Sequence, residues 1–106
     1  MPRFVILEHD WPHYHCDLMI ETGAALRTWR ITKPPIIGQT VDAEPIGDHR
    51  LDYLTYEGAV SGGRGRVTRY DSGEYLLLND DAEFVYLQLQ GQRLNGVITL
   101  ICHAKE

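Results

Sequence analysis

The chain has 106 residues, of which 43% are hydrophobic and 24% charged, a balance that fits one domain, residues 1–106, around one modest core. Its net charge of −5 argues against tight, sequence-blind binding to nucleic acid, which needs a basic face. No apolar run approaches the roughly 20 residues that span a bilayer, and Cys16 and Cys102 are too few for a disulfide framework, so no membrane partner and a reducing, cytoplasmic setting are expected.

In chain order, period-two alternation rich in valine, isoleucine, tyrosine and threonine predicts strands at 3–7, 13–20, 25–31, 53–60, 65–70, 74–78, 83–89 and 96–102. The first of these is too short and too quickly followed by charge to read as a signal peptide. Turn chemistry separates the strands at Glu21-Thr22-Gly23, Pro34-Pro35, Asp71-Ser72-Gly73, Asn79-Asp80-Asp81 and Leu94-Asn95-Gly96. Residues 34–50 hold three of the five prolines and read as the longest irregular stretch. No helix with start and stop signals is predicted. The pattern is all-β, a sandwich or a small barrel. Residues 61–66, SGGRGR, are glycine-rich but lack the Lys-Ser/Thr ending of a phosphate-cradling loop, and read as a hairpin turn.

The densest chemistry lies in residues 8–21, EHDWPHYHCDLMIE. On a strand, His13, His15, Asp17 and Met19 share one face, and Tyr14, Cys16, Leu18 and Ile20 share the other, which is apolar enough to be core. His15 and Asp17 then sit about 7 Å apart at their Cα atoms, given a rise of roughly 3.3 Å per residue. That separation lets both side chains lean onto one ion, and His9 is the nearest third ligand in sequence. Two imidazoles and a carboxylate leave open positions on a divalent ion such as Mn, Fe or Zn. The competing reading is a solvated polar strand with no ion. Cys16 reads as packing, and His103 as a solvent-exposed tail residue. A cupin-like small-molecule enzyme is a further alternative, on His13-Tyr14-His15, Glu21, Pro45-Ile46-Gly47 and His49. Its expected spacings are not met.

Over residues 3–102 the chain resembles the 3′-phosphoesterase domain of bacterial DNA ligase D and its stand-alone relatives. The opening strand Arg3–His9 ends in Glu-His. Tyr14-His15-Cys16-Asp17-Leu18-Met19-Ile20-Glu21 follows the family block Leu-His-Tyr-Asp-x-Arg-Leu-Glu. Trp29 runs into Lys33-Pro34-Pro35; Asp48-His49-Arg50-Leu51-Asp52-Tyr53 and Tyr56-Glu57-Gly58 come next; Leu89, Gly91, Leu94 and Gly96 close the match. The resemblance implies a closed or nearly closed antiparallel β barrel of about eight strands. It also implies a Mn²⁺-dependent enzyme, with Zn²⁺ or another divalent metal as the alternative. That enzyme would trim 3′-ribonucleotides and 3′-phosphates at DNA or RNA ends, with a ligase or polymerase acting in trans. It implies His9, His15 and Asp17 as metal ligands, His49 as the acid, Tyr53 as a phosphate contact and Lys33 as a contact to the substrate strand. Two departures stand out. The family arginine falls on Met19, which cannot make a forked, charged contact; His13, Arg64 and Arg66 are the substitutes the sequence offers. The family's arginine-rich stretch is replaced by the acidic Val41-Asp42-Ala43-Glu44-Pro45. A metal-binding relative without DNA-end activity is therefore the second functional reading.

Overall fold

A computed structural model describes residues 2–102, so the reading of His103 lies outside the described residues. The alternating stretches form β1 (Arg3–His9), β2 (His15–Thr22), β3 (Ala25–Ile31), β4 (Thr40–His49), β5 (Gly58–Ala59), β6 (Arg66–Asp80), β7 (Phe84–Gly91) and β8 (Asn95–Cys102), with a 3₁₀ turn at Leu51–Leu54. The strands hydrogen-bond in the order β1-β2-β3-β4-β8-β7-β6-β5, and a β1–β6 pairing closes the sheet. The all-β barrel expected from the sequence is thus a ring of seven strands with β5 added on β6.

Every pairing around the ring is antiparallel except β4–β8, which is parallel. An odd ring cannot alternate direction all the way round, so seven strands require one parallel neighbour. The 34–50 stretch read as irregular contains β4. Its Pro45 and Gly47 hide the strand, yet the pairing with β8 ends at Ala43↔Cys102. Beyond that point β4 lies against β3 alone, and a proline is tolerated on such an edge. The strand predicted at 53–60 becomes the 3₁₀ turn and the two-residue β5.

Two apolar clusters lie on opposite faces of β1 and β2. The barrel interior holds Phe4, Ile6, Cys16, Leu18, Ile20, Trp29, Leu87, Leu89, Ile98 and Leu100. Outside the wall, Val5, Leu7, Met19 and Leu26 pack under Leu54 and Val67. Residues 15–20 are consequently buried without interruption. Each large aliphatic chain buried this way contributes roughly 1.5–3 kcal/mol. Among the described residues no helix is long and apolar enough to cross a membrane.

The turn predicted at Asp71-Ser72-Gly73 lies inside the continuous β6. The β1–β6 register shifts between Ile6 and Leu7, so Tyr70 is an extra residue in a bulge. The bulge aims the buried Asp71 carboxylate at the β7–β8 turn, where it accepts N–H bonds from Gln92 (2.8 Å), Arg93 (3.0 Å) and Leu94 (2.8 Å), besides its neighbour Ser72 (2.9 Å). Gly73 is required for a different reason: a Cβ there would run into the Gln90 carbonyl. Asp71→Ala strands these amides and is expected to cost about 2–3 kcal/mol, read as a lowered urea midpoint with an unchanged slope. An unchanged midpoint would mean that water replaces the carboxylate without loss.

Candidate metal centre

His9 ends β1 and His15 begins β2, and the antiparallel register makes them direct partners. Asp17 follows His15 by two residues, so its side chain emerges on the same outer face of the wall. One ligand atom from each of His9, His15 and Asp17 lies within 4.8 Å of the others. His9 Nδ1 is 3.9 Å from Asp17 Oδ2, and His15 Nε2 is 3.4 Å from Asp17 Oδ1.

The nitrogens that face Asp17 are selected by main-chain carbonyls. His9 Nε2 donates to the Arg64 carbonyl at 2.7 Å, which leaves Nδ1 as the bare nitrogen. His15 Nδ1 donates to the His13 carbonyl at 2.8 Å, which leaves Nε2 bare. Each imidazole therefore offers a lone pair to the same point. Fixing a ligand histidine through its other ring nitrogen is how metal sites set tautomer and ring orientation.

His15 is 6% exposed and Asp17 4%. His15 Nε2 and Asp17 Oδ1 have no hydrogen-bond partner, and their 3.4 Å approach lacks hydrogen-bond geometry. A buried polar atom left unsatisfied costs on the order of 1–3 kcal/mol. A divalent ion shared by the three side chains removes that cost, and the donor set of two imidazoles and a carboxylate suits one. The cluster can thus hold a metal.

A cavity of about 250 Å³ opens over Asp17 and His9. Its lining includes His49, Tyr53, Met19, Arg64 and Arg30. His49 reaches it from the end of β4, where the β3–β4 register sets it against Leu26. Its Nδ1 donates to the Gly47 carbonyl at 3.0 Å, so Nε2 is the ring nitrogen that this bond leaves uncommitted. Tyr53, on the 3₁₀ turn, meets the His49 ring edge-on at 5.6 Å between centroids. The 61–65 loop is pinned against the end of β1: Asp10 accepts the Arg66 N–H at 2.8 Å. Gly65 adopts a positive φ of 75°, and a Cβ there would strike Asp10 and Trp11. That close approach brings the Arg64 carbonyl to His9.

The other expected site residues are elsewhere. β2 starts at His15, after a bend containing a cis Trp11–Pro12 bond. His13 therefore lies before the strand, with its ring exposed and its carbonyl on His15. Lys33 is exposed on the β3–β4 connection. Arg66 lines a neighbouring cavity with Glu8, Asp10 and Tyr14. There the Glu8 carboxylate accepts the Tyr14 hydroxyl at 2.7 Å and holds the phenol well above the ordinary tyrosine range. The Arg64 guanidinium is occupied by Ser61, through its carbonyl at 2.7 Å and its hydroxyl at 3.1 Å. Cys16 is fully buried in the barrel interior, and burial pushes its thiol up, which suits packing and not nucleophilic chemistry. Arg30 was not among the sequence candidates. It stands directly opposite Asp17 on β3. The signal was present in the two-residue Gly23-Ala24 turn, which sets the β2–β3 register.

Residues 7–102 match the family model described as the DNA Ligase D 3′-phosphoesterase domain. The multifunctional non-homologous end joining protein LigD of Pseudomonas aeruginosa is 30% identical over 104 residues, 89% of this chain and 12% of the relative. The protein of the same name from Mycobacterium bovis is 35% identical over 107 residues, 92% of this chain and 14% of the relative. The chain thus spans only about an eighth of the length of these relatives.

Mn²⁺ or Zn²⁺ at about a hundredfold its Kd is expected to stabilise the fold by about 2.7 kcal/mol, read as a raised Tm. His15→Ala and Asp17→Asn should each remove the increase. An equal rise in those variants would place the ion elsewhere.

Proposed function

Since the chain belongs to the DNA ligase D 3′-phosphoesterase domain family, we propose that it is a metal-dependent phosphoesterase that trims 3′-ribonucleotides and 3′-phosphates at DNA or RNA ends in repair. The observation that carries this reading is the pair of bare, buried atoms, His15 Nε2 and Asp17 Oδ1. They lie beside an open cavity whose wall carries His49 and Tyr53. We propose Mn²⁺ as the native ion, held by His9 Nδ1, His15 Nε2 and the Asp17 carboxylate, with Zn²⁺ as the alternative. Such an ion polarises phosphoryl oxygens and neutralises charge that develops on them.

The remaining steps belong to the protein's own groups. With Nδ1 anchored on Gly47, a protonated His49 presents its Nε2–H to the leaving oxygen and acts as general acid. Tyr53 fixes the His49 ring by edge contact and offers its hydroxyl to the phosphate. His13, Lys33 and Arg66, exposed beyond the cavity rim, meet the strand that leads to the end. The 250 Å³ cavity suits one terminal group, not a duplex, and the net charge of −5 disfavours sliding along nucleic acid. A ligase or polymerase, in the cytoplasm, would use the processed end.

A second reading, a metal-binding relative without DNA-end activity, draws on one observation. Met19, on the face where the family block has its arginine, is 1% exposed and packs in the outer apolar cluster. The two readings separate in one assay. With Mn²⁺, the protein is expected to release phosphate from a 3′-phosphate oligonucleotide and to shorten a primer ending in one ribonucleotide. His15→Ala should abolish both, and His49→Ala should lower the rate by about 10²–10⁴-fold. A folded, metal-loaded protein that turns over neither end would favour the second reading.

A further inference from the structure

We propose that Arg30, on β3, supplies the guanidinium that grips the phosphate in this chain, in place of an arginine on β2. The inference rests on the phosphoesterase reading above and deepens it. Position 19 holds a methionine that is buried under Leu54 and Val67, so β2 presents no cation to the cavity. Arg30 does line that cavity, together with His9, Asp17, His49 and Tyr53.

The register explains how one strand can stand in for the other. Asp17 pairs with Arg30, and Met19 pairs with Thr28. Arg30 is therefore the diagonal neighbour of Met19 on the same face of the sheet. Diagonal neighbours lie about 7–8 Å apart, within the reach of a long side chain. An arginine at position 30 thus approaches the space over Asp17 from one strand further along the wall.

Arg30 is also the cation in the cavity with its fork unused. Among the described residues its guanidinium has no hydrogen bond or ion pair. Glu44 is its register partner on β4, yet the two form no salt bridge. Arg64, by contrast, spends two of its donors on Ser61. Arg3, Arg27 and Arg69 are paired with Glu21, Asp80 and Glu57, away from the cavity. A planar, always-charged fork matches two phosphate oxygens at once. Being exposed, Arg30 can be replaced without opening the core.

The test compares the wild type with Arg30→Ala and Arg30→Lys, with His15→Ala as the metal control. Two readouts are taken: turnover of a 3′-phosphate oligonucleotide with Mn²⁺, and the Kd for inorganic phosphate by calorimetry, with and without Mn²⁺. Arg30→Ala is expected to keep its Tm and lose about 10²–10³-fold in kcat. Its phosphate affinity should fall about tenfold to a hundredfold. Arg30→Lys should fall between the two, because it keeps the charge and loses the fork. Added guanidinium, well below denaturing concentration, should partly rescue Arg30→Ala, an effect that a merely structural role would not produce. Wild-type turnover and phosphate affinity in Arg30→Ala would overturn the inference while leaving the phosphoesterase reading intact. A wild type that turns over nothing, but binds phosphate more tightly than Arg30→Ala, would support the phosphate grip and defeat the phosphoesterase reading. A wild type that neither turns over nor binds phosphate would defeat both.

Discussion

The structure depends on a strand that is buried on both faces. From His15 to Ile20, β2 has no exposed residue. Cys16, Leu18 and Ile20 fill the barrel, while His15, Asp17 and Met19 point away from it. Burial on the second face makes the polar pair expensive, because water no longer satisfies His15 Nε2 and Asp17 Oδ1. Polar atoms held in that condition are either a liability or a binding site. The carbonyl bonds to the far nitrogens of His9 and His15 make the arrangement read as a site. They hold both lone pairs on one point, which a solvated polar strand has no reason to do.

The cover over that second face comes from distant parts of the chain. The 3₁₀ turn brings Leu54 and Tyr53, β6 brings Val67, and the 61–65 loop brings the Arg64 carbonyl. That carbonyl bonds a histidine 55 residues away. It can do so because Gly65 lets the loop lie directly on Asp10 and Trp11. The glycine-rich stretch is thus a hairpin turn with a structural duty toward the candidate metal centre. Of its glycines, Gly65 serves close packing against the side chains of Asp10 and Trp11, where a Cβ has no room.

Much of the fold was legible because alternation survives wherever one face is core. The strands at 3–7, 25–31, 83–89 and 96–102 appear nearly as read. The failures have local causes. β4 carries Pro45 and Gly47 and buries only Ala43, so it lacks the apolar repeat that betrays a strand. Asp71-Ser72-Gly73 has turn chemistry because it follows the bulge at Tyr70 and includes a close backbone approach at Gly73, both of which favour the residues that turns favour. The stretch 53–60 alternates in sequence, yet its Leu54 and Tyr53 cover the outer face of a neighbouring strand pair. Periodicity reports that a residue is buried, without saying against what.

The sequence by itself determined the all-β class and brought together a cluster that could hold a metal: His9, His15 and Asp17 lie within nine residues, and one hairpin register suffices to gather them. Only the tertiary structure decided which nitrogen of each histidine faces Asp17, because the carbonyls that choose depend on a loop far along the chain. It also decided which cations share the cavity. Arg30 enters through cross-strand register, whereas His13, Lys33 and Arg66 remain outside it. The physical reason is the same in each case. Local sequence fixes what a residue can donate and which face of a strand it occupies, but the partners on that face are set by pairing between strands and by loops that close over them.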